Sequence, residues 1–216
     1  MCWCGWAGSS DVTVVSGVHA ANELPGPLMR RGLPWIAFAV LFLSAAATQS
    51  VHAKEEQFMT LKLTSSAFEH EGNIPRLHTC QGKDVSPPLA WSGVPENAKG
   101  LVLIVDDPDA PDPAAPKMTW VHWVLYNIPR SATGLPQGVS PNELPEGTLE
   151  GISDFQRTGY GGPCPPIGRH RYFHKLYALD TVLPNLKKPR KADVEKAMKG
   201  HVIEQAVLVG TYQKSQ

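Results

Sequence analysis

LVLIVDDPDAP, Leu101 to Pro111, is the stretch on which the rest of the chain is ordered. Leu101–Val105 is a continuous apolar run of strand length and reads as a strand buried on both faces. Three carboxylates follow directly, on Asp106, Asp107 and Asp109, and Pro108 and Pro111 restrict the backbone that carries them. Such a segment either closes the strand as an acidic turn or points one carboxylate back into a pocket, where it can orient a histidine.

Outward from this run the pattern stays β. Phe58–Thr64 (FMTLKLT) alternates apolar and polar, as a half-buried strand does. Thr119–Ile128 (TWVHWVLYNI), His170–Leu179 (HRYFHKLYAL) and Ala206–Tyr212 (AVLVGTY) are rich in aromatic and branched residues and read as further strands. Ala192–Lys199 fits two turns of helix, with Val194, Ala197 and Met198 on one side and Gly200 as the stop. Pro129–Arg169 is dominated by Pro, Gly and polar groups, and a stretch of that length without periodicity reads as functional surface. Many strands and one or two short helices predict a mostly-β domain with a peripheral helix.

Composition narrows the function. The 216 residues carry 20 basic and 20 acidic side chains, which argues against a protein that grips nucleic acid or an anionic membrane through a basic face. Hydrophobic residues at 42% predict a folded chain, and 20 Pro with 19 Gly predict many turns. Ahead of the domain, Arg30–Arg31, the uncharged run Leu33–Ala47 and Val51-His52-Ala53 have the three-part layout of a secretory signal. The apolar run is short for a membrane span. Residues 1–28 are read as a mis-called leader before a start at Met29, 29–53 as the signal peptide, and 54–216 as a single exported domain, periplasmic in placement. The arginine pair leaves Sec and Tat export both open. Only Cys80 and Cys164 remain after the cut, and they are either a disulfide or two buried thiols.

Strand alternation places Trp120, His122 and Val124 on one face and Val121, Trp123 and Leu125 on the other; in the later strand His170, Tyr172 and His174 share a face. If these faces line one concavity, His122, His170 and Tyr172 supply hydrogen-bond donors to a small ligand. As isolated residues, both histidines read equally as core or surface positions. Gly159-Tyr160-Gly161-Gly162-Pro163-Cys164-Pro165-Pro166 combines glycines that permit close approach with prolines that hold a rigid rim.

Four segments in this order carry a resemblance: Asp107-Pro108-Asp109-Ala110-Pro111, Trp120-Val121-His122-Trp123, Gly161-Gly162-Pro163-Cys164-Pro165-Pro166 and Gly168-Arg169-His170-Arg171-Tyr172. Together they resemble the phosphatidylethanolamine-binding protein family, in particular its bacterial, Raf-kinase-inhibitor-like branch, and Cys80–Trp91 resembles the start of that branch's domain. The resemblance spans Phe58 to Tyr212. It implies a β-sandwich-like domain with a small anion pocket lined by Asp107, His122, His170 and Tyr172, with Trp120, Pro111, Pro165 and Pro166 around it. It also implies a binding protein rather than an enzyme, with no cofactor and no metal. The residues after the final strand hold no counterpart of the longer C-terminal helix that borders the pocket of eukaryotic members.

The chemistry expected is reversible capture of a phosphate-bearing group or phospholipid headgroup. His122 and His170 donate hydrogen bonds, Tyr172 adds a hydroxyl, and Asp107 either holds a histidine protonated or meets the ammonium of a zwitterion. Both arrangements make binding strengthen as pH falls toward the ordinary histidine value, about 6.5. His174 is expected outside the pocket, and Asp109 is expected to stabilise the turn. Two other classes stand beside this one. The first is an inhibitor of a protease or kinase acting through the 129–166 surface. The second is a metal-dependent hydrolase built on His122, His170, His174 and Asp107, against which stands the absence of an HExxH motif; no GxSxG, P-loop or GxGxxG supports other enzymes.

Overall fold

The computed structural model describes residues 60–215, so the leader, the signal segment and Phe58–Met59 of the first expected strand lie outside the described residues. The acidic run of the opening stretch ends β3 (Gly100–Asp107), which is buried along its whole length. Its neighbours are β4 (Trp120–Ile128), β6 (Leu149–Glu150), β7 (Arg169–Leu179) and β8 (Val202–Gln213). They form a five-stranded antiparallel sheet in the order β6-β4-β3-β7-β8, with β3 at its centre. A second sheet of three strands packs on it: β1 (Lys62–Thr64), β2 (Leu89–Ser92) and β5 (Gly134–Leu135), in the order β1-β2-β5. Among the described residues one α-helix, α1 (Lys191–Met198), completes the fold. The domain is therefore the expected mostly-β sandwich with a peripheral helix.

Why β3 needs apolar side chains on both faces is now visible. Leu101, Leu103 and Val105 face the short sheet and meet Leu63, Trp91 and Leu135. Val102 and Ile104 face the other way, onto Leu183 and the Val194 and Met198 side of α1. Full burial of each such side chain stabilises the fold by roughly 1.5–3 kcal/mol. The helix stops where expected, before Gly200, which takes a φ of +83°. Residues 71–74 cover the end of the β8 edge, with Ile74 N–H bonded to the Thr211 carbonyl and Thr211 N–H to that of Gly72. The final strand is longer than Ala206–Tyr212 because Val202–Gln205, whose Glu204 and Gln205 interrupt the apolar run, still pair along β7. Pro129–Arg169 is not all irregular, since β5 and β6 lie within it.

The alternation expected for β4 fails at one point, with consequences for the site. Val105 pairs with Trp123 and Asp106 with Val121, so His122 is an extra residue opposite β3. This bulge reverses the phase of the strand. Trp123 and Leu125 join the inter-sheet core, as His122 would not by simple alternation, while Val124 joins Val121 and Tyr126 on the helix side. A second irregularity lies between the Leu103 and Leu101 pairings, where Asn127 adopts a φ of +57°. In β7 the alternation is intact: His170, Tyr172, His174, Leu176 and Ala178 are all buried.

His174 sits in that core against Phe68, with neither ring nitrogen hydrogen-bonded. Burial pushes its pKa down to about 4. The unfolded chain takes up this proton near the ordinary value of about 6.5, whereas the folded chain refuses it until about 4, so stability is lost as pH falls through that window. The shift corresponds to about 3 kcal/mol at the acid end. Denaturant unfolding between pH 7 and 4 will show a shallower loss of stability in His174→Leu than in the unmodified protein.

Candidate ligand-binding site

Because β3 runs antiparallel to both β4 and β7, its last residue lies beside the first residues of both. Asp107 pairs with Trp120 across one ladder, and Asp106 with Phe173 across the other. Three strand ends thus converge on a cavity of about 300 Å³. Asp107, His122, His170 and Tyr172 all line it, as do Trp120, Pro111, Pro165 and Pro166, so the structure brings together every residue assigned to the pocket from sequence. A larger, shallower depression of about 570 Å³ lies across Pro165–Pro166 from it, but its remaining side chains are surface groups such as Arg169 and Lys214. The buried polar chemistry is in the smaller cavity.

The polar groups of that cavity differ in how far the protein itself satisfies them. Asp107 accepts from the Asp109 backbone N–H at 2.8 Å through one oxygen and meets His170 Nδ1 at 2.7 Å with the other. The second nitrogen of His170, Nε2, is 2.9 Å from the Ile167 carbonyl. Both ring nitrogens therefore face acceptors, an arrangement that a proton on each nitrogen satisfies. This corrects the expectation that His170 donates to a ligand. Its ring lies among the lining residues, stacked on Tyr172 at 6.4 Å between centroids.

His122 is held differently. Its Nδ1 lies 2.6 Å from the Gly161 carbonyl, and the Gly161 N–H returns a bond to the His122 carbonyl at 3.1 Å. A carbonyl only accepts, so Nδ1 carries the hydrogen, and in the neutral ring Nε2 is an acceptor with no partner in the protein. Burial pushes the imidazole below its ordinary range, against the Gly161 bond and the charges of Asp107, Asp106 and Asp84. The Tyr172 hydroxyl is buried and has no hydrogen-bond partner. Burial, reinforced by Asp107, pushes that phenol well above its ordinary pKa, so it remains a donor. His122 and Tyr172 meet edge-on at 5.2 Å between centroids.

The far wall depends on a clip between two loops. Tyr160 donates to the His78 carbonyl at 2.9 Å, Cys80 N–H to the Pro163 carbonyl at 3.1 Å, and Gly162 N–H to Asp84 Oδ1 at 2.6 Å. Cys80 and Cys164 are joined as a disulfide, with Cα atoms 5.4 Å apart, which decides between the two states left open by the sequence. Asp109 lies outside the cavity and takes Arg171 in a fork, at 2.9 Å from Nε and 2.7 Å from Nη2. Those side-chain bonds hold its carboxyl below the usual range, in keeping with the turn role expected of it. His174 is outside as well.

Three lining residues escaped the sequence reading, Ala110, Met118 and Phe155, while Cys164 comes from the Gly159–Pro166 segment already read as the rim. Phe155 matters most, since its ring stands edge-on to both Trp120 and His122, at 5.6 and 5.5 Å. The one available signal was its isolation as an aromatic in a Pro/Gly-rich stretch. Among the described residues, no group of three or more His, Cys, Asp or Glu side chains is arranged to hold a metal ion.

A two-sheet sandwich with a small, largely apolar cavity at the converging strand ends defines a class of ligand-binding domain. The family model for phosphatidylethanolamine-binding protein matches residues 64–213, and the chain belongs to that family. It is 49% identical over 155 residues to a UPF0098 protein of Methanothermobacter thermautotrophicus, covering 71% of this chain and 99% of that one. A solved phosphatidylethanolamine-binding protein homologue from Chlamydia trachomatis is 40% identical with a TM-score of 0.67, over 73% of this chain and 99% of the other. Escherichia coli YbcL, described as a member of the mammalian family, is 32% identical with a TM-score of 0.65, over 72% and 99% respectively. Family membership supports a ligand-binding or regulatory role in general.

The clip is open to a direct test. A Cβ at Gly162 would lie 2.4 Å from the His78 carbonyl oxygen and 2.9 Å from Thr79 Cα. These are backbone atoms that cannot swing aside, so Gly162→Ala will lower unfolding stability by about 1–3 kcal/mol in denaturant titration.

Proposed function

We propose that the chain is an exported, non-enzymatic binding protein that captures a phosphate-bearing or similar anionic headgroup in the 300 Å³ cavity. The observation that carries this reading is the Tyr172 hydroxyl, buried without a partner and raised to a permanent donor in a pocket where Asp107 and His170 already satisfy each other. An unpaired buried donor costs stability unless a ligand completes it. Membership of the phosphatidylethanolamine-binding protein family supports a headgroup as the occupant. Asp107 serves by fixing His170 rather than by meeting a ligand ammonium, because both of its oxygens are engaged. A binding role accords with the engagement of both Asp107 oxygens and both His170 nitrogens within the protein. Export rests on the arginine pair, apolar run and Val-His-Ala site at residues 30–53, and a periplasmic location follows from it.

A second reading has one observation in its favour. Phe155 and Met118, which line the cavity, remain 37% and 47% exposed, and such apolar side chains can seat a partner protein. A ligand-independent inhibitor would keep its partner when Tyr172 is changed and lose it when Phe155 is.

Calorimetric titration with inorganic phosphate and phosphoethanolamine tests the first reading. Saturable binding is expected, weakened about tenfold or more in Tyr172→Phe, which removes only the donor. Binding is also expected to strengthen as pH falls below about 6.5, since His122 turns from acceptor to donor only in that range. Absence of binding by both overturns it.

A further inference from the structure

We infer that the cavity selects an anion that still carries a hydrogen, hydrogen phosphate over sulfate, and that the Nε2 atom of His122 is the acceptor that makes the distinction. This inference rests on the reading of the cavity as an anion site and adds to it the hydrogen-bonding form of the ligand.

Few polar atoms of the cavity are free to meet a ligand. His170 is closed on both sides by Asp107 and the Ile167 carbonyl. Asp107 is closed by His170 and the Asp109 N–H. Arg171 of β7 is forked onto Asp109 and points to solvent. Two polar atoms of the lining residues are left without a partner in the protein: the buried Tyr172 hydroxyl, which can donate, and His122 Nε2, which in the neutral ring can only accept.

A fully deprotonated oxyanion can satisfy the first of these and not the second. Sulfate brings only lone pairs, and one of them would face the lone pair of Nε2 in a largely apolar enclosure, where an unmatched polar contact is costly. Hydrogen phosphate brings an acceptor oxygen for Tyr172 and an O–H for Nε2. The Gly161 carbonyl, at 2.6 Å from Nδ1, prevents the ring from moving its hydrogen to Nε2 without losing that bond.

The groups facing His122 agree with this assignment. From β3 comes Asp107, with Asp106 acting through the sheet from the opposite face where Lys175 and Lys191 pair with it, from the 78–85 loop Asp84, and from β7 Tyr172, His170 and His174. The loop before β7 adds the uncharged ring of Phe155. The three carboxylates favour a charged ring, but full burial opposes it and prevails, so the acceptor form is the one a ligand meets at neutral pH.

The test is calorimetric titration of the purified protein with inorganic phosphate and with sulfate, at matched ionic strength and pH 7.5. Sulfate is expected to bind about tenfold or more weakly than phosphate. In His122→Gln, whose side-chain amide can turn to donate or accept, the preference is expected to collapse toward unity. Tyr172→Phe serves as the second variant: it removes a donor both anions use, so it weakens both and leaves their ratio in place. Equal affinity for the two anions in the unmodified protein overturns this inference while leaving the anion site standing. Failure of both to bind overturns the anion site itself, and the selectivity with it.

Discussion

The structure depends on two adjacent buried carboxylates at the end of β3, turned to opposite faces of the sheet. A carboxylate in an apolar interior is tolerated only when paired and hydrogen-bonded. Asp106 meets Lys175 of β7 and Lys191 at the start of α1, at 2.8 and 2.6 Å. Burial acts to lower the Lys191 pKa, yet the Asp106 bond leaves it above its ordinary value, as a committed ion pair requires. Asp107, one residue on, takes His170 and its own turn. One carboxylate therefore fastens the helix to the back of the sheet and the other organises the cavity at its end. Removing either partner of such a pair strands a buried charge, which is why the two functions of this short segment cannot be varied independently of the fold.

The cavity's chemistry follows from which groups are left over after these demands are met. Asp107 and His170 consume each other, so the most polar pair of the site acts as a floor and not as a donor set. The bulge at His122 turns that ring into the cavity, where the Gly161 backbone fixes its hydrogen on Nδ1. The Tyr172 hydroxyl, from the undisturbed alternation of β7, arrives with nothing to bond. One donor and one acceptor on an otherwise apolar wall make a selective site. The disulfide and the three hydrogen bonds between residues 78–84 and 160–164 hold the wall at the distance these contacts need.

How much of this was legible in the sequence depended on whether a side chain's direction was set locally. In β7 the strict period of two placed His170, Tyr172 and His174 on one face, and the structure keeps that order. β3 read as doubly buried because it carries no polar residue before Asp106. In β4 the same period misled, because an inserted residue leaves no trace in composition, and the faces after His122 were exchanged. The short strands β2, β5 and β6 have two to four residues each, too few to show a period. Phe155 reached the cavity through loop geometry that only the packing of Gly161 beneath its ring defines. The set of pocket residues came through the family resemblance, whereas the engagement of His170 on both nitrogens is a distance relation that no residue pattern expresses.

The central claim is that His122 presents a bare acceptor to the cavity, and the hydrogen of its ring is directly observable. Two-bond proton–nitrogen correlation spectra of the histidine side chains at neutral pH, with and without inorganic phosphate, report which nitrogen carries it. The account predicts hydrogen on Nδ1 and a bare Nε2 for His122, with the Nε2 resonance moving as phosphate saturates the site. Hydrogen on Nε2 in the unliganded protein would contradict it.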